Sequence, residues 1–324
     1  MTLLAVSTVA FGGQVAPSFI YGIDDTNILW QMDLIGLTSG TVEQTALAGV
    51  SNGLAYDTAR SDLFAVDGQN NLWWWNQDNP QYAAIASAAA LGIATSDQEQ
   101  PWSAAYYNNS YWFFLGNGLA GTNQLRRVFL DYSSGQQPTV ASYETYTVPA
   151  ISGSNAFGDI AIVASGPNAG TLYAYTYSFP GNFYSLDLNA IVAGTVGGYQ
   201  LINTTSGTGL QIAFNSDYSV LYGHNYDDGT WYTIDTTSGA LAPVLTNSGT
   251  FTTLAGDGKG FRDLGGSAVQ AVPEPGTLGL AAVGGAAIIW HTIRRRRRRV
   301  SHGRSLGASW LPAASTPLDL LEVG

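Results

Sequence analysis

Cysteine is absent from the sequence, so no disulfide framework, thiolate nucleophile or cysteine metal site can be built from it. Positive charge is scarce. Residues 1–272 hold five basic against 20 acidic side chains, a net charge of −15 with histidine neutral, and the single lysine is Lys259. Nucleic acid and anionic lipid both need a positive field, so neither suits this portion as a partner. Histidine occurs only once before residue 272, at His224, which leaves little from which to build a His-based triad or a multi-histidine metal site. Its place in "LYGHN", at a strand end, suits a surface or hydrogen-bonded role. There is no glycine-rich phosphate loop; the glycines fall between strand patterns and read as turns.

What is abundant is glycine, serine, threonine, asparagine and tyrosine, the composition of an exported all-β domain with many tight turns. A short strand with a central alanine recurs as "GLAYD", "SAAYY", "DIAIV", "QIAFN" and "TLAGD". The anchors Ala55, Ala105, Ala161, Ala213 and Ala255 are spaced by 50, 56, 52 and 42 residues. Those are the lengths of four-stranded propeller blades. All but the last anchor precede an aromatic second strand ("LFAV", "YWFF", "LYAY", "LYGH"). A third strand then ends on Asp131, Asp187 or Asp235, with Asn76 standing in after "LWWW". Ser133-Ser134-Gly135 and Thr237-Ser238-Gly239 supply the turns that follow. The order is similar to the L-Y-x(n)-L-Y-x-I-D-x-x-T-G pattern of secreted bacterial β-propellers.

At the N-terminal end, "FIYGID" and "ILWQMD", followed by Thr38-Ser39-Gly40, are second and third strands with no first strand before them. Pairing of Phe251–Gly256 with these strands closes one blade from both chain ends and gives a five-bladed propeller over residues 17–265. Closure removes the open sheet edges of a linear stack. A two-sheet sandwich and an open β-solenoid are the alternatives.

Candidate chemistry is sparse. Two residues beyond the anchors stand Asp57, Tyr107, Val163, Asn215 and Asp257. In a propeller, Asn215, Asp257 and Asp57 gather at one channel mouth. There Asp57 and Asp257 can hold Ca²⁺ or act as acid and base on a sugar, whereas the plainer reading has them capping turns. The second constellation is aromatic. Trp73 and Trp75 share one face of a strand and, with Tyr107 and Trp112, can offer sugar rings a stacking platform, or can simply fill the core. Asp24-Asp25 and Asp227-Asp228-Gly229 are turn sequences with weak calcium potential.

The C-terminal region has another character. "VPEPGTLGL" leads into the uncharged run 278–293, which as a helix reaches about 24 Å against a hydrocarbon core of roughly 30 Å, and Trp290 suits an interfacial anchor. Arg294, Arg295, Arg296, Arg297, Arg298 and Arg299 follow and stay cytoplasmic by the positive-inside rule. A buried helix with an arginine localisation patch is the alternative. Pro273, Glu274 and Pro275 break regular structure and leave an extended backbone just outside the membrane. This order resembles the PEP-CTERM sorting signal of Gram-negative bacteria, across about 28 of 324 residues. The resemblance implies export, inner-membrane anchoring, removal of the tail by an exosortase and delivery to the cell surface or extracellular polysaccharide. Permanent anchoring is the variant in which the tail is not cut. Residues 266–277 read as a linker, and 300–324, beyond the usual end of such signals, as a disordered cytosolic tail. Residues 1–16 read as a signal peptide without its basic start, or as a first strand. The expected whole is an exported, non-enzymatic binding propeller without cofactor, calcium apart, whose partners are the exosortase, the inner membrane and a polysaccharide or surface protein. The competing reading is a glycan hydrolase using Asp57 and Asp257.

Overall fold

The computed structural model describes residues 18–24, 26–33, 38–43, 52–76, 81–93, 101, 103–115, 124–148, 157–176, 180–195, 199–205, 209–245 and 261–269. They form twenty strands in five four-stranded antiparallel sheets. The first sheet contains β1 (Ser18–Ile23), β2 (Leu29–Asp33) and β3 (Thr38–Glu43). The second is β4 (Asn52–Asp57), β5 (Asp62–Val66), β6 (Leu72–Asn76) and β7 (Gln81–Ala86). The third is β8 (Ala104–Tyr107), β9 (Ser110–Leu115), β10 (Gln124–Asp131) and β11 (Thr139–Thr147). The fourth has β12 (Phe157–Ile162), β13 (Thr171–Thr176), β14 (Gly181–Asp187) and β15 (Gln200–Thr205), with the short helix α1 (Leu188–Val192) capped by Asp187. The fifth is β16 (Leu210–Phe214), β17 (Leu221–Asn225), β18 (Trp231–Ile234) and β19 (Leu241–Leu245). β20 (Asp263–Val269) then returns to pair with β1, completing the first sheet.

The five inner strands β20, β4, β8, β12 and β16 touch one another in a closed circle. The architecture is therefore a five-bladed propeller whose first blade is shared by the two ends of the chain. The closing strand is not the expected one. Phe251–Gly256 lies outside the described residues, and β20 takes the innermost place, running to Val269 rather than ending at residue 265. The fifth equivalent of Ala55, Ala105, Ala161 and Ala213 is thus Gly265, 52 residues after Ala213. Closeness to the next blade explains the small residue, since a Cβ on Gly265 would sit 2.8 Å from Leu54 Cγ. Thr38-Ser39-Gly40, expected as a turn, opens the outer strand β3.

Each interface between blades carries its own apolar core. Tyr21, Leu54 and Trp75 meet between blades 1 and 2; Phe64, Trp74 and Tyr111 between blades 2 and 3. Trp112 and Ile160, Phe183 and Ile212, and Trp231 and Phe261 serve the remaining three. Both faces of a blade are therefore buried, unlike a sheet with one wet side.

Polar clasps fix the turns between the second and third strands. Asp24 Oδ1 accepts the N–H groups of Thr26 (2.8 Å) and Ile28 (3.0 Å), while Oδ2 accepts Trp30 Nε1 (2.8 Å). Asp67 repeats this with Gln69 (2.8 Å), Asn71 (2.9 Å) and Trp73 Nε1 (2.8 Å). At the axis, two aspartates staple inner strands together. Asp159 Oδ1 accepts its neighbour Ile160 N–H (2.7 Å) and Oδ2 accepts Ile212 N–H (2.8 Å) from the next blade. Asp263 likewise accepts Leu264 N–H (3.0 Å) and Leu54 N–H (2.5 Å).

Candidate functional site

The turns leaving the inner strands and those leaving the third strands share one face of the propeller, around the channel mouth. In the second blade, Asp57 ends β4, the turn carries Thr58 and Arg60, and Asp62 opens β5 as the register partner of Asp57. Asp57 Oδ1 accepts Ala59 N–H (2.9 Å), and Oδ2 receives Arg60 Nη1 at 2.9 Å, a salt bridge with a buried acid and a half-exposed base. Arg60 also donates to Tyr106 Oη (3.3 Å), and its guanidinium stands 4.2 Å from the Tyr132 ring centroid. Tyr106 stacks on Phe64, with centroids 5.6 Å apart and planes 3° from parallel, which fixes its hydroxyl at the rim. Across the mouth, Thr58 and Tyr218 hydroxyls lie 3.3 Å apart.

Two cavities open here. The channel itself is a narrow space of about 30 Å³ with Thr58, Tyr106 and Tyr218 at its rim and Ala104, Ile212 and Leu264 deeper. Beside it lies a polar cavity of about 250 Å³ lined by Arg60, Asp62, Asn76, Tyr132, Gly135 and Gln136. Asp62 Oδ1 accepts Asn76 Nδ2 (2.7 Å). Asp62 Oδ2 and the Tyr132 hydroxyl are buried near each other but make no hydrogen bond of good geometry. Burial raises the Asp62 carboxyl above its ordinary range and raises the Tyr106 and Tyr132 phenols well above theirs. Arg60, Asp62 and Tyr132 were not singled out from the sequence. A signal was present: Arg60 is one of only five basic residues before 272 and stands between two acids in "DTARSD".

The sequence-predicted residues are dispersed. Asp57 caps its own turn and pairs with Arg60, while Asp257 lies outside the described residues. Asn215 caps the next turn, accepting Val220 N–H (2.9 Å) and donating to Ser219 Oγ (3.0 Å). Trp73 is half-buried, clasped to Asp67 and packed 6.0 Å from the Tyr82 ring. Trp75 is buried between blades 1 and 2, and Trp112 between blades 3 and 4, where it donates to the Tyr107 carbonyl (3.2 Å) and stacks on Tyr146. Trp75 and Trp112 thus fill different cores, and the four aromatics share no surface. Asp24 and Asp228 cap turns, and Asp25 lies outside the described residues. Among the described residues no three His, Asp or Glu side chains are grouped as metal ligands.

His224 departs from its expected surface or hydrogen-bonded role. It is 1% exposed, packed between Trp231 and Phe261 at centroid distances of 4.7 and 5.3 Å, with Nδ1 lacking a hydrogen-bond partner. Burial lowers its pKa to about 3. Pro273, Glu274, Pro275 and Arg294 to Arg299 lie outside the described residues, as do 1–16 and the apolar segment 278–293. Among the described residues no helix is long and apolar enough to cross a membrane.

Among solved structures, the chain is similar to one in the crystal structure of a nidogen/laminin complex, at 9% identity and a TM-score of 0.45, over 79% of this chain and 100% of that one. It is also similar to TolB from Acinetobacter baumannii, at 12% identity and a TM-score of 0.44, over 78% of this chain and 67% of that one. A protein of unknown function from Bacteroides caccae is similar at 13% identity and a TM-score of 0.37, over 70% of this chain and 72% of that one. No curated protein sequence matches the chain. Residues 271–298 match the family described as the PEP-CTERM protein-sorting motif. The chain thus joins a five-bladed β-propeller to a PEP-CTERM motif, a signal that implies export, membrane-associated sorting and exosortase processing.

Proposed function

We propose that the propeller is a non-enzymatic binding module of the cell surface or extracellular matrix, and that its turn-bearing face takes a polysaccharide. The observation that carries this reading is the polar cavity of about 250 Å³ beside Arg60. Its wall holds the Asp62 carboxyl beside the Tyr132 hydroxyl without a hydrogen bond of good geometry between them. Hydroxyls of a sugar can hydrogen-bond the Asn76 and Gln136 amides on this wall and, once the side chains shift, the Asp62–Tyr132 pair behind them. An acidic chain surface disfavours polyanions, so a neutral or weakly charged glycan fits best. Before release, residues 278–293 hold the chain in the inner membrane and the arginines keep the tail cytoplasmic. The hydrolase reading draws no support at Asp57, whose two oxygens are engaged by Arg60 and Ala59.

Affinity electrophoresis of the full chain in detergent, through gels containing neutral and acidic polysaccharides, tests the proposal. Retardation by a neutral glycan is expected, with about a tenfold loss of affinity in Asp62→Ala. Unchanged retardation of Asp62→Ala and Tyr132→Phe would overturn the assigned site. Release of reducing ends by the wild type, abolished in Asp57→Ala, would replace binding by catalysis. Capture of a protein in place of any glycan would substitute a scaffold role.

A further inference from the structure

The five inner strands place equivalent residues two positions before the small anchors: Gly53, Ser103, Asp159, Gln211 and Asp263. Asp159 and Asp263 come from non-adjacent blades, yet their carboxyls lie within hydrogen-bonding reach of each other across the axis. Both are fully buried, at 0% exposure. Ser103 Oγ and Gln211 Oε1, at 0% and 5% exposure, have no hydrogen-bond partner. Gly53 has no side chain to contribute, and the Tyr111 hydroxyl takes the vacant place: it lies 2.5 Å from where a Cβ would stand and donates to the Gly53 carbonyl. Tyr111 is close enough for both carboxylates to raise its phenol further above its ordinary range, beyond the larger effect of burial. By the order of the inner strands these five positions form one layer around the axis, to which Asp263, Tyr111, Ser103, Asp159 and Gln211 bring oxygen atoms. The channel above it is closed by Ala104, Ile160, Ile212 and Leu264.

Charge decides what the ring suits. Among the described residues no basic side chain is a leading influence on either acid, so two ionised carboxylates would leave an uncompensated pair of charges in a dry site. A shared proton removes one charge and leaves Ser103 Oγ and Gln211 Oε1 unpartnered. A divalent cation removes both charges and also uses the two orphan oxygens. The four backbone N–H bonds to the carboxylates do not prevent this, since each oxygen keeps a second lone pair. Hard oxygen ligands without nitrogen or sulfur select a cation of the calcium class. We propose that the axial ring of Asp159, Asp263, Ser103, Gln211 and Tyr111 binds a single calcium-class cation that holds the propeller closed. This site is distinct from the turn-bearing face and does not depend on glycan binding.

The test uses the full chain in detergent, dialysed against calcium-free buffer and then titrated with CaCl₂. Metal content by mass spectrometry should approach one equivalent, and the melting temperature should rise with CaCl₂ and fall on chelation. Asp57→Ala at the mouth should keep the equivalent. Asp263→Asn should lose it. Ser103→Ala, which alters no charge, should retain the fold and weaken calcium binding about tenfold. Absence of bound metal together with a calcium-independent melting temperature in the wild type would overturn the proposal. So would a full equivalent retained by Asp263→Asn or an unchanged affinity in Ser103→Ala.

Discussion

At the mouth, Asp57 sits on an inner strand with an arginine at 2.9 Å and solvent at the edge of the pair. On the axis, Asp159 and Asp263 also sit on inner strands, but their partners are backbone N–H groups and each other, with no solvent. The same side chain, a few residues along equivalent strands, is in one place a rim charge and in the other part of the construction of the ring. What differs is distance from water, and that follows from the convergence of five strands. It is a property of the closed circle and of no blade by itself.

Removing an acid from each place should separate the two most sharply. Asp159→Ala strands the Ile160 and Ile212 N–H groups and should cost about 2–5 kcal/mol in urea unfolding. Asp57→Ala, which breaks a half-exposed salt bridge, should cost about 1 kcal/mol. Equal losses would erase the contrast.

Acidity sharpens it next. In chelator, the raised folded-state pKa of the axial acids means that the folded chain holds more protons than the unfolded chain above the ordinary value of 3.8. Stability should then fall as pH rises from there through the folded-state range, and saturating calcium should flatten that fall. His224 acts in the opposite sense. Its folded value is about 3 against an ordinary 6.5, so its contribution is complete above about 6.5 and is lost as pH falls toward 3. His224→Phe should flatten the acid limb of the melting-temperature profile and leave the alkaline limb unchanged.

The smallest effect belongs to the rim. Tyr218→Phe removes an exposed hydroxyl contact with Thr58 and should shift stability by less than about 0.5 kcal/mol by the same unfolding measurement.

Much of the fold was legible because it repeats. Ala55, Ala105, Ala161 and Ala213 mark four inner strands, and the missing first strand at the N-terminus points to closure by the other end. The closing strand was misplaced because "TLAGD" keeps the alanine while "DLGGS" keeps the geometry: a glycine at the small position and an aspartate two residues before it. The spacing of 52 residues from Ala213 to Gly265, against 42 to Ala255, held the correction. The clasp of Asp24 to Trp30 and Asp67 to Trp73, each six residues apart, is a second repeat visible in the sequence.

The site was less legible for a physical reason. In a half-wet sheet, alternation tells which aromatics meet solvent. In a propeller blade both faces are buried, so Trp73, Trp74 and Trp75 alternate between neighbouring blades, and exposure cannot be read from parity. The axial acids were hidden differently. A polar residue just before an apolar strand reads as the end of a turn until the ring brings its counterparts together.

The last strand bears on the order in which the propeller can be assembled and processed. Val269 ends β20, and Pro273 of the sorting motif follows after only three intervening residues. Severing the chain at the motif leaves every blade complete, whereas a cut a dozen residues earlier would remove Asp263 and bare the edge of β1. Because β20 supplies the innermost strand of the first blade, the ring can shut only once the chain is present through Val269, the last stretch before the sorting motif.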